Sequence, residues 1–414
     1  MENNVNKEKK GLWKQPWGYE ESFLIAFEIL LIGFIIELLF KGKGLITISQ
    51  PYNIITGIIF LVIIFIIHNY LRNRKFIKWL SSVPAAVSSI TLFCLLSLLL
   101  GFIPQNPKNL TRFIDVIGLT HVQRSWPMLL SEIYLLIVLG LVTLRRTKPL
   151  KLKNVGFFLN HAGLWITLFA ITLGSGDLIR LNMSLTEGKP ATNVVYDNNQ
   201  KLFSVPFNVE LLDFQIKEYP PKIALIDSKT KKILIEATNN LTLVEKGMIV
   251  NILNWEIEIE EYYDNAIIKD NTFIESDVFG ASDAVFMNVK NTVTGKTVKG
   301  WLSPGGLINP SIYLELDDSH SIALTKPEPK EYSSIVVIDN TEKNTIDTVT
   351  IEVNQPVKVS GWNLYQVGYD DKMGKWSKIS ILEVVFDPWL PVIYFGIFLL
   401  IAGAVYMIWI GKDK

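Results

Sequence analysis

Six long apolar segments constrain the fold of this chain more than any other feature of its sequence. Each is free or nearly free of charged residues and approaches the length of about 20 residues that a helix needs to cross a bilayer core. They are residues 22–40, 51–67, 84–103, 127–144, 155–174 and 388–410. We predict six membrane-spanning helices. No small-residue cleavage site follows the first segment, so we expect it to be retained rather than removed as a signal peptide.

Basic residues are spread unevenly among the short connecting segments. They concentrate before the first apolar segment, after the second and after the fourth: Lys7, Lys9, Lys10 and Lys14; Arg72, Arg74, Lys75 and Lys78; Arg145, Arg146, Lys148, Lys151 and Lys153. Because Lys and Arg are retained on the cytoplasmic side, this pattern predicts that both termini are cytoplasmic. The long stretch between the fifth and sixth helices is then extracytoplasmic.

That long stretch has the alternating hydrophobicity of β-strands. Apolar and polar residues alternate over 207–211, 255–260 and 311–316, and turn-forming sequences separate these runs. We therefore predict a polytopic α-helical membrane protein with a large extracytoplasmic all-β domain inserted between the fifth and sixth helices. The predicted divisions are 1–175 with five helices, 176–387 as the β-rich domain, and 388–414 as the last helix and a short tail.

Composition and motifs exclude several functional classes. Forty basic residues balance forty acidic ones, so no net charge attracts nucleic acid. Cys94 is the only cysteine, which excludes an internal disulfide, a CxxC redox pair and a self-attached haem. The sequence lacks a nucleophile elbow, an HExxH motif and a phosphate-binding loop. We predict no catalytic residue, and the lipid bilayer is the one partner that composition itself indicates.

His161 is the strongest candidate for a binding residue. It follows the start of the fifth apolar segment by six residues, or about 9 Å of helix, and small residues follow it in the chain. A neutral imidazole at this depth suits an axial ligand of haem iron. It equally suits a histidine that is hydrogen-bonded to a neighbouring helix, so the residues alone leave both roles open.

Other ionisable groups in or near the helices are weaker candidates. Glu28, Glu37 and Glu132 lie within apolar segments. Glu28 and Glu37 are on opposite faces of one helix, so they do not form a single proton-relay stripe, and interhelical hydrogen bonding is predicted for these two. His68 is predicted to lie at the membrane interface. His121, in a loop before Trp126, is a weak candidate for a ligand-binding residue. In the β-rich domain, His320 is predicted to be a turn residue.

The order of these parts resembles the ResB/CcsB family of cytochrome c biogenesis proteins, which belong to System II. The similarity rests on seven segments: 160–165 (NHAGLW), 174–177 (GSGD), 361–370 (GWNLYQVGYD), 387–389 (DPW), 394–396 (YFG), 101–105 (GFIPQ) and 125–127 (SWP). The chain departs from the family pattern in having five predicted helices before the β-rich domain, where members often have fewer.

The resemblance implies a haem-handling role beside a CcsA/ResC-type membrane subunit in the bacterial cytoplasmic (inner) membrane. Haem b would be delivered to the periplasmic side and joined to the CxxCH thiols of apocytochrome c. His161 matches the family's intramembrane histidine and would be an axial ligand of the haem iron. The chain would then be a subunit of a cytochrome c haem lyase (synthetase) and inactive alone.

Two other functional classes compete with this interpretation. One is a non-catalytic membrane scaffold or sensor whose β-domain binds a ligand in the cell envelope. The other is a secondary transporter that uses Glu28, Glu37 and Glu132. The transporter is disfavoured because the sequence shows no inverted pair of broken helices.

Overall fold

Eight α-helices lie in the part of the chain that this computed structural model describes, which comprises residues 13–105, 112–149, 151–234 and 241–411. They are α1 (Tyr19–Leu39), α2 (Tyr52–Leu71), α3 (Lys75–Leu80), α4 (Val83–Phe102), α5 (Arg112–Val116), α6 (Trp126–Arg146), α7 (Leu152–Gly174) and α8 (Leu390–Gly411). Lys7, Lys9 and Lys10, which the charge pattern above includes, lie outside the described residues.

Six of these helices are long and apolar enough to cross a membrane: α1, α2, α4, α6, α7 and α8. The predicted set of six spanning helices is therefore confirmed. The short helices α3 and α5 were not predicted, because six and five residues are too few to show a helical period. The chain divides into two compact units, one of Met1–Ile179 with Asp387–Lys414 and one of Arg180–Phe386.

Helix α6 is the centre of the helical unit. Over its most apolar stretch 56% of the residues are buried, whereas no other spanning helix exceeds 28%. It contacts α1, α2, α4 and α7. Ser125 caps the N-terminus of this helix, because its hydroxyl accepts a hydrogen bond from the backbone N–H of Met128. Pro127 occupies the first turn, where its missing N–H is not needed.

Helices α7 and α8 pack along two facing pairs of glycines. Gly156 and Gly163 lie seven residues apart on α7, and Gly396 and Gly403 have the same spacing on α8. A Cβ atom on Gly163 would overlap the backbone of Leu400, and one on Gly403 would overlap Asn160. The two backbones therefore approach more closely than any larger residue would allow, as small residues permit in membrane helix pairs.

Side-chain contacts show which helix ends lie together at each of the two ends of the helical unit. At one end, Arg145 donates a hydrogen bond to the Ser81 hydroxyl, and Tyr406 donates one to the carbonyl of Leu152. We call this the basic end, defined by Arg72, Arg145, Arg146 and Lys148. The opposite end is the far end, defined by Glu37, Asn53, Trp126, Asp177 and Trp389.

The second unit contains strands and no α-helix among its described residues, which confirms the predicted all-β fold. The strands are β1 (Ile179–Thr186), β2 (Thr192–Tyr196), β3 (Leu202–Glu218), β4 (Lys222–Asp227), β5 (Thr242–Leu243), β6 (Ile249–Ile252), β7 (Trp255–Lys269), β8 (Thr272–Glu275), β9 (Ser282–Asn291), β10 (Thr297–Leu302), β11 (Leu314–Glu315), β12 (His320–Leu324), β13 (Pro329–Asn340), β14 (Thr345–Glu352), β15 (Val357–Val359), β16 (Trp362–Tyr369) and β17 (Ile379–Phe386).

The largest sheet has eight antiparallel strands and nearly closes on itself. Its order is β14-β13-β3-β2-β1-β17-β16-β15. The edge strand β14 also contacts β16, which lies next to the opposite edge strand. Apolar side chains such as Met183, Phe207 and Leu382 fill the interior. The interior also holds a polar contact, in which the Ser334 hydroxyl donates to Gln366 Oε1 at 2.5 Å.

Two smaller sheets form a second core. One has the order β10-β9-β7-β6, with β8 paired to β7, and the other has the order β11-β12-β4-β5. The predicted alternation over 255–260 lies in β7, where Trp255, Ile257 and Ile259 are buried. The run at 311–316 forms a shorter strand than expected, because Ile312 pairs with Ser303 only through an isolated bridge.

Candidate functional site

An apolar groove lies between α4, α6 and α7, and His161 is its one ionisable lining residue among those described. The groove has a cavity volume of about 50 Å³ and is lined by Ala86, Ser89, Ile90, Leu135, Val138, Leu139, Val142 and His161. Ser89 is the other polar lining residue, and its hydroxyl donates to the carbonyl of Ala86 at 3.0 Å. The imidazole of His161 is therefore the only lining group with a nitrogen electron pair to offer.

Helix α7 fixes the orientation of the His161 ring. Nδ1 of His161 lies 3.0 Å from the carbonyl oxygen of Phe157, one helical turn earlier. The Phe157 ring stacks on the imidazole with centroids 3.7 Å apart. Because a carbonyl oxygen can only accept, Nδ1 must carry the hydrogen in the neutral ring. Nε2 then carries the free electron pair, and no described residue bonds to it.

Arg146, at the last turn of α6, completes a stack with these two rings. Its guanidinium carbon lies 4.2 Å from the centroid of the Phe157 ring. Arg146 is exposed, and no described carboxylate lies within ion-pair distance of it. The neighbouring Arg145 differs, because it donates hydrogen bonds to the carbonyl of Lys78 at 3.2 Å and to the Ser81 hydroxyl at 2.5 Å.

Glu37 organises the far end of α1. Its side chain is fully buried. One carboxylate oxygen accepts the backbone N–H of Trp126 at 2.8 Å, and the other accepts the backbone N–H of Gly44 at 3.0 Å. These bonds hold the start of α6 and the loop at Gly44 against α1. The prediction of an interhelical hydrogen bond for Glu37 agrees with its contact to the first residue of α6.

His121, the second candidate from the sequence, belongs to this Glu37 cluster. Its Nε2 lies 3.2 Å from the Glu37 carboxylate, and its Nδ1 lies 3.3 Å from the Thr120 hydroxyl. Asp115 lies 3.8 Å from Nδ1. Both ring nitrogens face protein groups, in contrast to His161. His121 also lies at the far end, whereas the His161 stack includes a residue of the basic end.

The remaining sequence candidates lie apart from the groove. Glu132 accepts a hydrogen bond from the Thr172 hydroxyl and so links α6 to α7. Glu28 is exposed, and no described residue bonds to it, so the expected interhelical bond is absent within the described chain. His68 is buried at the basic end, and its Nε2 has no hydrogen-bond partner among the described residues.

His320 begins β12, and its Nδ1 lies 2.9 Å from Asp317 in the preceding turn. This contact agrees with the role of a turn residue. No group of three or more His, Cys, Asp or Glu residues that could hold a metal ion occurs in the described ranges. The site therefore offers a single protein ligand rather than a complete coordination shell.

Asp177 joins three helix ends at the far end. One carboxylate oxygen accepts hydrogen bonds from the Trp389 indole at 2.7 Å and the Asn53 amide at 2.6 Å. The other accepts the backbone N–H of Gln50 at 2.8 Å. Partial burial raises the pKa of Asp177, but these hydrogen bonds outweigh it and hold the pKa below its ordinary value.

Sequence reasoning missed the roles of Phe157 and Arg146. Arg146 entered only the charge pattern of the loops, and Phe157 was an apolar residue among many. The signal for Phe157 was its position four residues before His161, since such residues face each other on a helix. No comparable signal existed for Arg146, because its contact with Phe157 depends on how α6 packs against α7.

These features define a multi-pass membrane protein with a large all-β unit between its last two spanning helices and a histidine-bearing groove in its helical unit. A model of the ResB-like family matches residues 280–380, about a quarter of the chain. The resemblance to the ResB/CcsB family is thereby confirmed, and it supports a role in cytochrome c biogenesis at the level of the family. No curated protein matches the chain.

The matched residues lie in the β-rich unit, from the loop before β9 to the second residue of β17. They include the 361–370 segment that carries part of the resemblance, which forms β16. His161 lies outside the match, so its role depends on the geometry of the groove.

Proposed function

We propose that this chain is a haem-handling subunit of a System II cytochrome c synthetase and that His161 ligates haem iron within the membrane. The observation that carries the proposal is the fixed orientation of His161 in an apolar groove, with Nδ1 bonded to the Phe157 carbonyl at 3.0 Å. A histidine that ligates metal through Nε2 commonly donates its other ring N–H to such an acceptor. Haem b is the transported substrate in this account.

The dimensions of the groove support a shared site. Pockets for small molecules span roughly 300–1,000 Å³, whereas the cavity volume of the groove is only about 50 Å³. A porphyrin would therefore need a second wall from another protein. One imidazole also fills only one axial position of the iron. We propose that a CcsA/ResC-type membrane subunit supplies the second wall and the second imidazole, which would give low-spin iron.

We propose that the basic end faces the cytoplasm of a bacterium and that the β-rich unit is periplasmic. The positive-inside rule supports this orientation, since Arg72, Arg145 and Arg146 lie at the basic end. His161 is nine residues past Leu152, or about 14 Å along α7 from its first residue. Haem ligated there would lie inside the bilayer and would need to move outward before attachment to a cytochrome.

The β-rich unit would help to receive apocytochrome c. Strand β14 is an edge of the eight-stranded sheet, and most of its residues are exposed. An extended segment containing CxxCH could add to such an edge through backbone hydrogen bonds. Crosslinkers placed along β14 should capture apocytochrome in membranes. Apocytochrome that crosslinks to other parts of the chain but not to β14 would contradict this part of the proposal.

The four histidines provide a direct test. The full chain is purified from membranes with its bound subunits, and haem is quantified for the wild type and for His→Ala variants at 68, 121, 161 and 320. We expect haem to fall several-fold in His161→Ala alone. His320→Ala is the control, because its ring lies outside the helical unit. His121→Ala tests the second candidate residue.

Two outcomes would contradict the proposal. An unchanged haem content in His161→Ala would show that another residue ligates the iron. A wild-type preparation without haem would favour the scaffold or sensor, in which the β-rich unit binds an envelope ligand and the helices serve as anchors.

A further inference from the structure

A cation lies beyond the groove toward the basic end, one helical turn past its last lining residue on α6. Leu135, Val138, Leu139 and Val142 line the groove from α6 and are spaced three or four residues apart. Arg146 follows Val142 by four residues, so it lies on the same face of α6, one turn nearer the basic end. A ligand that extends from the groove toward the basic end would therefore approach the Arg146 guanidinium with one of its edges.

A single aromatic ring links this cation to the candidate iron ligand. Phe157 contacts the Arg146 guanidinium at 4.2 Å and stacks on the His161 imidazole at 3.7 Å, both measured to its ring centroid. Stacking of this kind restricts the rotamers of a long cationic side chain. The distance between the imidazole and the guanidinium is therefore limited by α6, α7 and Phe157.

The positive charge of Arg146 is not neutralised by the described part of the chain. No described carboxylate is within ion-pair distance of its guanidinium, and no described acceptor bonds to it. Arg145 carries the same charge but already donates to Ser81 and Lys78. The site thus offers an apolar groove, one imidazole and one free guanidinium, which together suit a planar apolar ligand with a central metal and an acidic edge.

We propose that Arg146 binds a carboxylate of the porphyrin whose iron His161 ligates, an inference that rests on the function proposed above. The carboxylates of haem b occupy one edge of the macrocycle, and its vinyl groups lie on the other side. Pairing with Arg146 directs the acidic edge to the basic end and turns the vinyl groups away from it. Arg146 is then a positioning residue that sets the orientation of the bound porphyrin.

A lipid phosphate is the other anion that this guanidinium could bind, because arginines at helix ends extend toward lipid headgroups. The two anions can be separated with a porphyrin that lacks free carboxylates. Iron protoporphyrin IX dimethyl ester keeps the ring, the iron and the vinyl groups but carries no charge on its acidic edge.

The experiment places the full chain, purified with its bound membrane subunits, in phosphatidylcholine nanodiscs. It titrates this complex with iron protoporphyrin IX and, separately, with its dimethyl ester, and follows the Soret band. Arg146→Gln should weaken binding of the free acid about tenfold, or about 1.4 kcal/mol, and leave binding of the ester unchanged. Arg145→Gln is the matched control and should not discriminate between the two ligands. Arg146→Lys should retain part of the preference for the free acid.

The outcomes separate this inference from the proposed function. If His161→Ala abolishes the Soret shift but Arg146→Gln weakens both ligands equally or neither, Arg146 does not bind the carboxylate and the proposed function stands. If Arg146→Gln changes only the retention of phosphatidylglycerol in mixed discs, the anion is a lipid headgroup and the inference is overturned. If the wild type binds neither porphyrin, or His161→Ala has no effect, both fail.

Discussion

The indole N–H of Trp389 donates a 2.7 Å hydrogen bond to the carboxylate of Asp177, a residue 212 positions earlier in the chain. Asp177 is the third residue after the end of α7, and Trp389 immediately precedes α8. The bond therefore joins two of the sequence segments that carry the family resemblance. Together with the facing glycines of α7 and α8, it makes the helices on either side of the β-rich unit one packed pair.

Trp389→Phe should lower the stability of the helical unit. The variant keeps the aromatic ring but removes the donor to Asp177, which costs about 1 kcal/mol for a hydrogen bond to a charged acceptor in partial contact with solvent. Thermal unfolding in detergent, followed by the helical circular dichroism signal, measures the loss. Trp409→Phe is the control, because Trp409 is 74% exposed at the other end of α8. Equal melting temperatures for the two variants would contradict the prediction.

The contribution of Asp177 should depend on pH. Its hydrogen bonds lower its pKa in the folded protein, so its stabilising effect is fully present above the ordinary aspartate pKa of about 3.9. The effect is lost as the pH falls through the lower folded pKa. The wild type should therefore exceed Asp177→Asn in stability near neutral pH, and the difference should shrink below about pH 4. Melting curves between acid and neutral pH test this, and a pH-independent difference would count against it.

Gly163→Val should disrupt the packing of α7 against α8. A Cβ at this position overlaps the backbone of Leu400, and backbone atoms cannot move aside as a flexible side chain can. Overpacking of this kind costs about 1–3 kcal/mol. Gly101→Ala is the control, because a Cβ on Gly101 meets no atom within 4 Å. Protease resistance in detergent should fall for Gly163→Val only, and equal resistance of both variants would show that the close approach is not required.

Asp283→Asn should stabilise the β-rich unit at neutral pH. Burial raises the pKa of Asp283, and the Lys375 ammonium offsets part of this rise. Because the pKa of Asp283 is higher in the folded protein than in the unfolded chain, ionisation of Asp283 destabilises the fold. This destabilisation begins as the pH rises above the ordinary aspartate pKa of about 3.9. The amide in the variant can still accept the 2.9 Å hydrogen bond from Tyr262. Denaturant unfolding should show a gain at pH 7 that vanishes in acid, and a loss at pH 7 would contradict this account.

The main architecture was predictable because it depends on local physical requirements. A span such as Tyr52–Leu71 must satisfy its own backbone in a bilayer, so its length and apolarity identify it without knowledge of its neighbours. Strand β7 shows the same principle, because one buried face imposes alternation at Trp255, Ile257 and Ile259.

The site was only partly predictable, because its details depend on packing between distant residues. His161 could be selected from its type and depth, but the bond of its Nδ1 to the Phe157 carbonyl depends on a side-chain rotamer that the sequence does not specify. The contact between His121 and Glu37 joins residues 84 positions apart, and no pattern in the sequence predicts it. The difference between Arg145 and Arg146 likewise depends on packing, because Arg145 donates to Ser81, 64 positions away.

The most direct test of the central claim is the visible spectrum of the chain purified with the proposed CcsA/ResC-type subunit, compared with that of His161→Gly with and without added imidazole. The account predicts a low-spin haem spectrum in the wild type, its loss in the variant, and its recovery when imidazole enters the space left by the side chain. A low-spin spectrum that persists in His161→Gly without imidazole would contradict the assignment of His161 as the ligand.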